Sequence, residues 1–268
     1  MKLHDKVALI TGSARGLGWE MVQAFVQEGA RVAICDLSQS DIDGAAARLG
    51  LPPEKVLGVK ADVTSERDVG DLLSRTLEKF KRLDILVNNA GFAWPRGGPV
   101  NLELAETPLD VWLKILDTNL NGTFLCSREA LKTMRPQGSG SIVNISSPQG
   151  KKGKLLRGPY CAAKFGVLGL TESLAKDLSS YKINVNAVCP GYTVTHFYDP
   201  VLAVMGMSTT MEDPAARSTV EQMFASKSLF GKMIAPEDIA AAVLFLSSDI
   251  SSNMTGTYIN VSGGARMP

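Results

Sequence analysis

Two side chains with the potential for acid–base chemistry, Tyr160 and Lys164, are four residues apart at the start of a segment with helical periodicity. Residues at this spacing lie on one face of a helix, so the phenol and the ammonium group are expected to be neighbours. A tyrosine phenol has a pKa near 10, and acting as a base near neutral pH requires a fall of about three units. A nearby ammonium group favours the phenolate. The pair is therefore a candidate for acid–base chemistry, although the same spacing also occurs in simple edge contacts of helices.

The glycine-rich segment at residues 11–18 reads TGSARGLG and lies between a short apolar run and a helical pattern. Glycines allow the backbone to turn tightly and to approach a pyrophosphate, and the following helix N-terminus offers free N–H groups to the anion. The strand–turn–helix placement therefore predicts a dinucleotide site. The residues expected to form it are Gly12, Ser13, Arg15, Gly16, Leu17 and Gly18.

The choice between NAD and NADP depends on two charged residues near this turn. Asp36 ends the second predicted strand, 18 residues after Gly18, where an acid binds the adenine ribose. A carboxylate there repels a 2′-phosphate by several kcal/mol, on the order expected at an effective dielectric constant near 20. Arg15 has the opposite effect, because it can pair with that phosphate. We give Asp36 more weight and expect it, with Leu37, to bind NAD; NADP is the alternative.

The elements that position these residues alternate along the chain. Strands are predicted over residues 7–11, 31–36, 56–60, 83–88, 142–147, 183–188 and 257–261. Helices are predicted over residues 17–27, 41–49, a segment capped by Thr64 and ending at Phe80, a segment capped by Thr107 and ending near Met134, and residues 159–179 and 236–246. Continuous apolar strands are typical of a parallel sheet covered on both faces. The pattern predicts an α/β fold: one Rossmann-like domain over residues 1–268, with a doubly wound parallel seven-stranded sheet.

Residues 192–235 form the least regular stretch and are rich in methionine. A long connection of this kind is more often a functional cover than a core element. We expect it to be a lid over the substrate.

Composition excludes several classes of function. A formal net charge of +1 offers no electrostatic footprint for nucleic acid or an anionic membrane. The apolar runs are shorter than the roughly 20 residues that span a bilayer. The four cysteines lack metal-ligand spacing and indicate reduced thiols in a cytoplasmic protein, and with two histidines no metal site is expected.

In sequence order, these and further motifs resemble the classical short-chain dehydrogenases/reductases over nearly the whole chain. The residues that carry the resemblance are the glycine segment with spacing TGxxxGxG, Asp62-Val63, Asn88-Asn89-Ala90-Gly91, Asn119, Ser147, Tyr160, Lys164, Pro190-Gly191, Thr193 and Thr195. Any one of them occurs by chance, whereas the complete ordered set does not.

The resemblance implies a catalytic tetrad of Asn119, Ser147, Tyr160 and Lys164. Ser147 would hydrogen-bond the substrate oxygen, and Tyr160 would take or return the proton of the alcohol. Lys164 would hold the nicotinamide ribose and lower the Tyr160 pKa, while Asn119 would anchor a water in a proton relay. Further cofactor contacts implied by the resemblance come from Asp62, Val63, Asn88, Asn89, Ala90, Gly91, Pro190, Gly191, Thr193 and Thr195. The family also implies a homo-oligomer, commonly a tetramer.

The substrate is less well defined by the sequence. Besides Ser147 and Tyr160, we expect contacts from Trp94, Gln149, Tyr192, His196 and Phe197, although His196 fits a surface histidine equally well. The loop before Tyr160 carries four cations, Lys151, Lys152, Lys154 and Arg157. Charge runs on loops usually face solvent, and we expect that here. The alternative is a basic rim that attracts an anionic group of the substrate.

These observations predict an NAD-dependent oxidoreductase that interconverts a small secondary alcohol and its carbonyl form. The substrate classes that we favour are polyols, sugars and hydroxy-acid derivatives. One alternative is an NADP-dependent carbonyl or ketoacyl-thioester reductase, which Arg15 favours. Another is a nucleotide-binding sensor without catalysis, which the complete tetrad disfavours.

Overall fold

The computed structural model describes residues 2–95, 100–207 and 210–265, and within them seven parallel strands form one sheet. The strands lie in the order β3-β2-β1-β4-β5-β6-β7. They are β1 Val7–Thr11, β2 Arg31–Asp36, β3 Val56–Lys60, β4 Ile85–Asn88, β5 Gly140–Ile145, β6 Ile183–Pro190 and β7 Tyr258–Val261. The predicted single-domain, doubly wound fold is confirmed.

Helices cover both faces of this sheet. They are α1 Gly16–Gln27, α2 Gln39–Leu49, α3 Glu66–Phe80, α4 Leu109–Leu116, α5 Gly122–Gln137, α6 Gly158–Asp177, α7 Asp199–Val204, α8 Pro214–Ala225 and α9 Pro236–Ser247. Alternate residues of β1 enter different cores: Ala8 and Ile10 pack with α1 and α9, whereas Val7 and Leu9 pack with α3 and α5. None of the helices described here is long and apolar enough to cross a membrane.

The order of the strands reverses direction at β1, which pairs with β2 on one side and with β4 on the other. Adjacent crossovers therefore leave the sheet toward opposite faces, and a crevice opens at the carboxyl ends of β1 and β4. Ligands of doubly wound sheets bind at such a point, so the topology places the site there.

Two predicted helix caps are wrong. Ser65, rather than Thr64, caps α3, since its hydroxyl accepts a hydrogen bond from the Asp68 amide at 3.2 Å, whereas Thr64 donates to Asp62. Thr107 does not cap α4 either, because its hydroxyl donates to the Glu103 carbonyl at 2.9 Å. In both places a competing local acceptor takes the predicted side chain.

The long helix predicted to continue toward Met134 is interrupted. A π-helical turn, Asp117–Asn121, joins α4 to α5, which ends at Gln137. Such turns insert an extra residue into a helix and are frequent at functional sites.

Residues 192–235 contain α7 and α8, with a small apolar cluster of their own. Its buried members are Tyr198, Leu202, Met211, Ala216, Val220 and Met233. A parallel bridge between Thr193 and Ile234 joins the two ends of the segment. The described part of the segment therefore leaves the carboxyl edge of the sheet, packs around its own apolar cluster and returns to the same edge.

Candidate active site

One cavity of about 1150 Å³ follows the carboxyl edge of the sheet, from the glycine-rich turn to the segment 192–235. Its wall includes nearly all of the residues predicted from the sequence. These are Gly12, Arg15, Gly16, Leu17, Asp36, Leu37, Asp62, Val63, Asn89, Ala90, Gly91, Trp94, Asn119, Ser147, Gln149, Tyr160, Lys164, Pro190, Gly191, Tyr192, Thr193, Thr195 and His196. Residues distant in sequence are thus brought to one surface.

The glycine-rich turn leaves its backbone open to the cavity. Gly12 and Gly16 have positive φ values of 61° and 58°, which favour glycine. A Cβ on Gly12 would lie 2.9 Å from the Ala90 Cα, whereas nothing lies within 4 Å of the Cβ position of Gly16. In the described chain no side chain caps α1 and no acid lies in its first turn. The first amide groups of α1 are therefore available to an anion, which fits a pyrophosphate.

Three residues predicted to contact the cofactor lie behind the wall. The Ser13 hydroxyl donates to the Ile10 carbonyl at 2.6 Å and is buried. Gly18 packs against the turn, and the Asn88 amide donates to Asn144 at 2.8 Å in a buried network. These side chains shape the turn and join β4 to β5; the prediction of direct contact is not supported for them.

Gly18→Ala should destabilise the protein and weaken NAD binding, because the new Cβ would lie 2.3 Å from the Gly12 carbonyl oxygen. Gly44 offers a matched control within α2, since nothing lies within 4 Å of its Cβ position. Gly44→Ala should raise stability by about 0.5–1 kcal/mol. Urea unfolding and NAD titration of both variants measure the contrast. Equal effects of the two substitutions would contradict the close packing at Gly18.

Asp36 is half-buried at the end of β2. Its carboxylate accepts hydrogen bonds from the Ala14 amide at 3.1 Å and from the Leu37 amide at 2.9 Å. Arg15 is exposed, and Arg48 instead donates to the Ala14 carbonyl at 3.0 Å and stacks on Trp19. Among residues 2–95, 100–207 and 210–265, no cation forms an ion pair with Asp36. Its negative charge therefore faces the end of the cavity that the glycine-rich turn also lines, without a cationic partner among the described residues.

Lys164 and Tyr160 are both buried at the opposite end of the cavity. The Lys164 ammonium group donates to the Ile145 carbonyl at 2.8 Å and lies 5.6 Å from the centre of the Tyr160 ring. Burial raises the pKa of Tyr160 to about 12, against the opposing effects of a hydrogen bond with Ser147 and the charge of Arg157. Burial also lowers the pKa of Lys164 to about 8. In the chain alone, the pKa of Tyr160 therefore shifts opposite to the direction that base catalysis requires.

The buried ammonium group of Lys164 should cost stability. Its pKa falls from 10.5 to about 8, so the unfolded chain binds more protons between these values and stability rises with pH there. The cost is complete below pH 8. Lys164→Met should therefore raise the free energy of unfolding at pH 7 by about 1–2 kcal/mol, after the lost bond to Ile145 offsets part of the gain. Urea unfolding at pH 7 and pH 10 should show this gain shrinking, while Lys176→Met, at an exposed site on α6, should show no such pH dependence.

Asn119 lies in the π-helical turn with a buried side chain. Its amide nitrogen donates to the Phe92 carbonyl at 2.8 Å and to the Ile115 carbonyl at 2.9 Å. Its amide oxygen is buried and has no partner among the described residues. A Cβ on Gly91 would lie 2.4 Å from that oxygen and 3.5 Å from the Lys164 ammonium group. The glycine thus leaves space for an acceptor that can hold a water beside Lys164.

The end of the cavity next to Tyr160 is aromatic. Phe197 lies 5.5 Å from Trp94 and 6.1 Å from Tyr160 between ring centres, and Tyr192 stacks on Phe224 at 4.9 Å. Tyr198 and Phe224, which were not predicted from the sequence, also line this end. The concentration of aromatic residues between 192 and 224 was the available signal. His196 lines the cavity as well and lies 3.1 Å from Asp199.

The four cations of the loop before Tyr160 have different surroundings. Lys152 is exposed, and Lys151 lies over the Tyr258 ring at 4.5 Å. The Lys154 ammonium group donates to the Tyr192 hydroxyl at 3.1 Å. Arg157 is half-buried against Trp94. The expectation of a uniformly solvated run is therefore wrong for Arg157.

Comparisons with known proteins agree with this geometry. Residues 12–266 match the family model described as enoyl-(acyl carrier protein) reductase. The chain is 36% identical to cis-4-hydroxycyclohexanecarboxylate dehydrogenase of Sinomonas cyclohexanicum, covering 97% of this chain and 96% of that protein. It is 37% identical to L-fucose dehydrogenase of Bos taurus, covering 98% and 90%. The crystal structure of levodione reductase superposes with a TM-score of 0.85 at 33% identity, covering 98% of both chains.

The fold and its relatives define a nucleotide-dependent oxidoreductase that acts on hydroxyl or carbonyl groups. The chain belongs to the short-chain dehydrogenase/reductase family.

Proposed function

We propose that the protein is an NAD-dependent oxidoreductase that interconverts a small secondary alcohol and its carbonyl form, with Tyr160 as general acid and base. The observation that carries the proposal is the position of Tyr160 and Ser147 on the wall of the cavity that also contains the open glycine-rich turn. A proton-transfer group and an anion-binding helix terminus thus face one enclosed space.

The proposed cofactor contacts follow the cavity wall. The amide groups at the start of α1 would hold the pyrophosphate, and Asp36 would accept hydrogen bonds from the adenine ribose. Asp62 and Val63 would border the adenine, and Lys164 would donate to the nicotinamide ribose. When bound, the nicotinamide supplies the hydride donor or acceptor of the reaction.

The chain itself would handle the proton. Ser147 would donate a hydrogen bond to the substrate oxygen and hold it beside the Tyr160 hydroxyl. Tyr160 would accept the alcohol proton during oxidation and return it during reduction. The free oxygen of Asn119 would hold a water that connects Lys164 to solvent.

Polyols, sugars and hydroxy acids are the substrate classes that we propose. The two relatives named above act, by their names, on a cyclic hydroxy acid and on a sugar. An NADP-dependent carbonyl or ketoacyl-thioester reductase is the second candidate, since Arg15 lies at the cavity. A sensor without catalysis has no use for the complete tetrad.

The direct test is the initial rate of absorbance change at 340 nm with NAD and NADP, against alcohols of these three classes and 3-oxoacyl thioesters. We expect oxidation of one class with NAD. A strong preference for NADP with 3-oxoacyl thioesters would replace the first candidate by the second. Tight NAD binding without turnover across the panel would favour the sensor.

We also propose that residues 192–235 cover the bound substrate. Tyr192, Phe197, Tyr198 and Phe224, all from this segment, line the cavity. Hydrogen exchange of the segment should slow when NAD and a substrate analogue are added together. Unchanged exchange would contradict a covering role.

A homo-oligomer, and specifically a tetramer, is proposed as the assembly. Large apolar side chains are exposed on three successive helices, Leu109 and Leu113 on α4, Phe124 on α5 and Phe165 on α6. Large apolar side chains left exposed on a single chain favour association. Sedimentation equilibrium should give a mass near four chains, and a monomer would contradict the proposal. The four buried, unpaired thiols favour a reducing compartment, and we propose the cytoplasm.

A further inference from the structure

Arg157 is a half-buried cation on the wall of the cavity, three residues before Tyr160. Its guanidinium carbon lies 3.5 Å from the centre of the Trp94 ring, and Trp94 is 4% exposed. Stacking on an indole fixes the plane of a guanidinium group and leaves the N–H donors at its edge free. The side chain is therefore held in place by an aromatic ring instead of by a carboxylate.

The charge of Arg157 is uncompensated in the part of the chain that the structure describes. No acidic side chain there forms an ion pair with it, and no acceptor there receives its hydrogen bonds. Asp199 also lines the cavity, but its carboxylate accepts from the Met211 amide at 3.1 Å and faces His196. Buried cations are usually paired, because desolvation penalises a lone charge. An unpaired guanidinium group on the wall of a ligand cavity is therefore expected to bind an anionic group of the ligand.

Two further polar atoms of residues that line the cavity lack partners. Among the described residues, neither the Trp94 indole nitrogen nor the Gln149 side-chain oxygen, both of them buried, forms a hydrogen bond. Both residues line the same cavity as Arg157. Burial of unsatisfied polar groups costs free energy that a bound polar ligand recovers. The unsatisfied atoms of Trp94 and Gln149 therefore favour a ligand with polar atoms in this cavity.

We propose that Arg157 binds the carboxylate of the substrate, so that the enzyme selects hydroxy acids and the corresponding oxo acids over neutral alcohols. This inference rests on the proposed oxidoreductase function and adds the charge of its substrate. A guanidinium fork matches the two oxygens of a carboxylate.

The aromatic wall determines which kind of molecular frame the substrate can have. Beside the guanidinium group, Trp94 contacts Phe197, and Phe197 contacts Tyr198, each at 5.5 Å between ring centres. Apolar and aromatic surface favours a hydrocarbon frame, with polar contacts restricted to the reacting oxygen and the anionic end. The expected substrate is thus a hydroxy acid with an apolar frame between its two functional groups.

Calorimetry on the NAD-loaded enzyme tests this without turnover. The probes are cyclohexanecarboxylate, which has no hydroxyl group to oxidise, and cyclohexanecarboxamide, its neutral counterpart. We expect the carboxylate to bind about ten-fold or more tightly than the amide, and Arg157→Gln to abolish the preference. Arg157→Lys should keep part of it. Lys152→Gln, at an exposed site on the same loop, is the matched control and should keep all of it.

Several outcomes would overturn the proposal. They are equal binding of the two probes, no binding of either probe, and a preference that survives in Arg157→Gln. A preference for cyclohexyl phosphate over the carboxylate would assign the site to phosphate esters instead.

Kinetics separate this proposal from the proposed function. With 4-hydroxycyclohexanecarboxylate and its amide, Arg157→Gln should raise KM for the acid alone and leave kcat within about three-fold. If Arg157 acts only through Tyr160, the variant would slow the acid and the amide equally, which would overturn the carboxylate assignment. A carboxylate preference that depends on Arg157 without any oxidation would instead refute the oxidoreductase function and leave the anion site standing.

Discussion

Replacing Tyr160 with phenylalanine should lower kcat by about two to four orders of magnitude. The variant keeps the ring that packs against Phe197 and removes the hydroxyl that faces Ser147. Packing is therefore preserved while the group that exchanges a proton with the substrate is lost. Initial rates at saturating NAD measure the loss, and NAD affinity from fluorescence titration should change by less than about three-fold.

Tyr181→Phe is the matched control for this experiment. Tyr181 follows α6, pairs with Arg135 and lies outside the cavity wall. Its variant should retain full activity. Tyr160→Phe with more than a tenth of the original kcat would refute the assignment of Tyr160 as the acid and base.

The raised pKa of Tyr160 has a directional consequence for the reaction. With a pKa of about 12, the phenol of the chain alone is protonated throughout the neutral range and can act as an acid. Oxidation needs the phenolate form of Tyr160. Binding of the cofactor and the substrate must therefore lower this pKa before Tyr160 can act as a base. We therefore expect the rate of oxidation to rise with pH and the rate of reduction to fall.

Asp36→Ser should reduce the preference for NAD over NADP by about one-hundred-fold. The carboxylate and a 2′-phosphate at about 4 Å repel by about 4 kcal/mol at an effective dielectric constant of 20, and partial exposure screens part of this. Serine removes the charge and keeps an oxygen for the ribose. The ratio of kcat/KM for the two cofactors, measured at low ionic strength, gives the change.

Asp43→Ser is the control, because it removes a carboxylate that lies outside the cavity wall. Asp43 is exposed on α2 and accepts from Gln39 at 2.7 Å, outside the cavity wall. Its variant should leave the cofactor ratio unchanged. A wild-type enzyme that prefers NADP would show that Arg15 outweighs Asp36, and the assignment of cofactor would reverse.

The sheet was predictable because its strands depend on local composition. β1, β2 and β3 have the predicted bounds, since each is an apolar run closed by glycine, proline or a charged residue. Caps were less predictable because neighbouring candidates compete. Thr64 and Ser65 have the same chemistry, and the carboxylate of Asp68, which bonds to Ser65, decides between them.

The candidate site was predictable as a set of motifs but not as a set of contacts. Ser13 belongs to the glycine motif, yet its hydroxyl is used by the backbone of β1. The environment of Arg157 depends on Trp94, which lies 63 residues earlier in the chain. The local sequence does not show that Arg157 stacks on a ring while the neighbouring Lys152 faces solvent, because tertiary packing determines the exposure of each side chain.

The π-helical turn between α4 and α5 changes which residues of the two helices share one face. In an uninterrupted α-helix, Ile115 and Cys126 would share one face, because eleven residues make about three turns. The extra residue rotates the later face by about 100°. Ile115 packs with Trp94 and Tyr160, whereas Cys126 packs in the core beneath the sheet. A one-residue deletion within Asp117–Asn121 would therefore restore a continuous α-helix and leave Ile115 and Cys126 on their present faces, whereas a one-residue insertion there would rotate one of these two contacts out of its core.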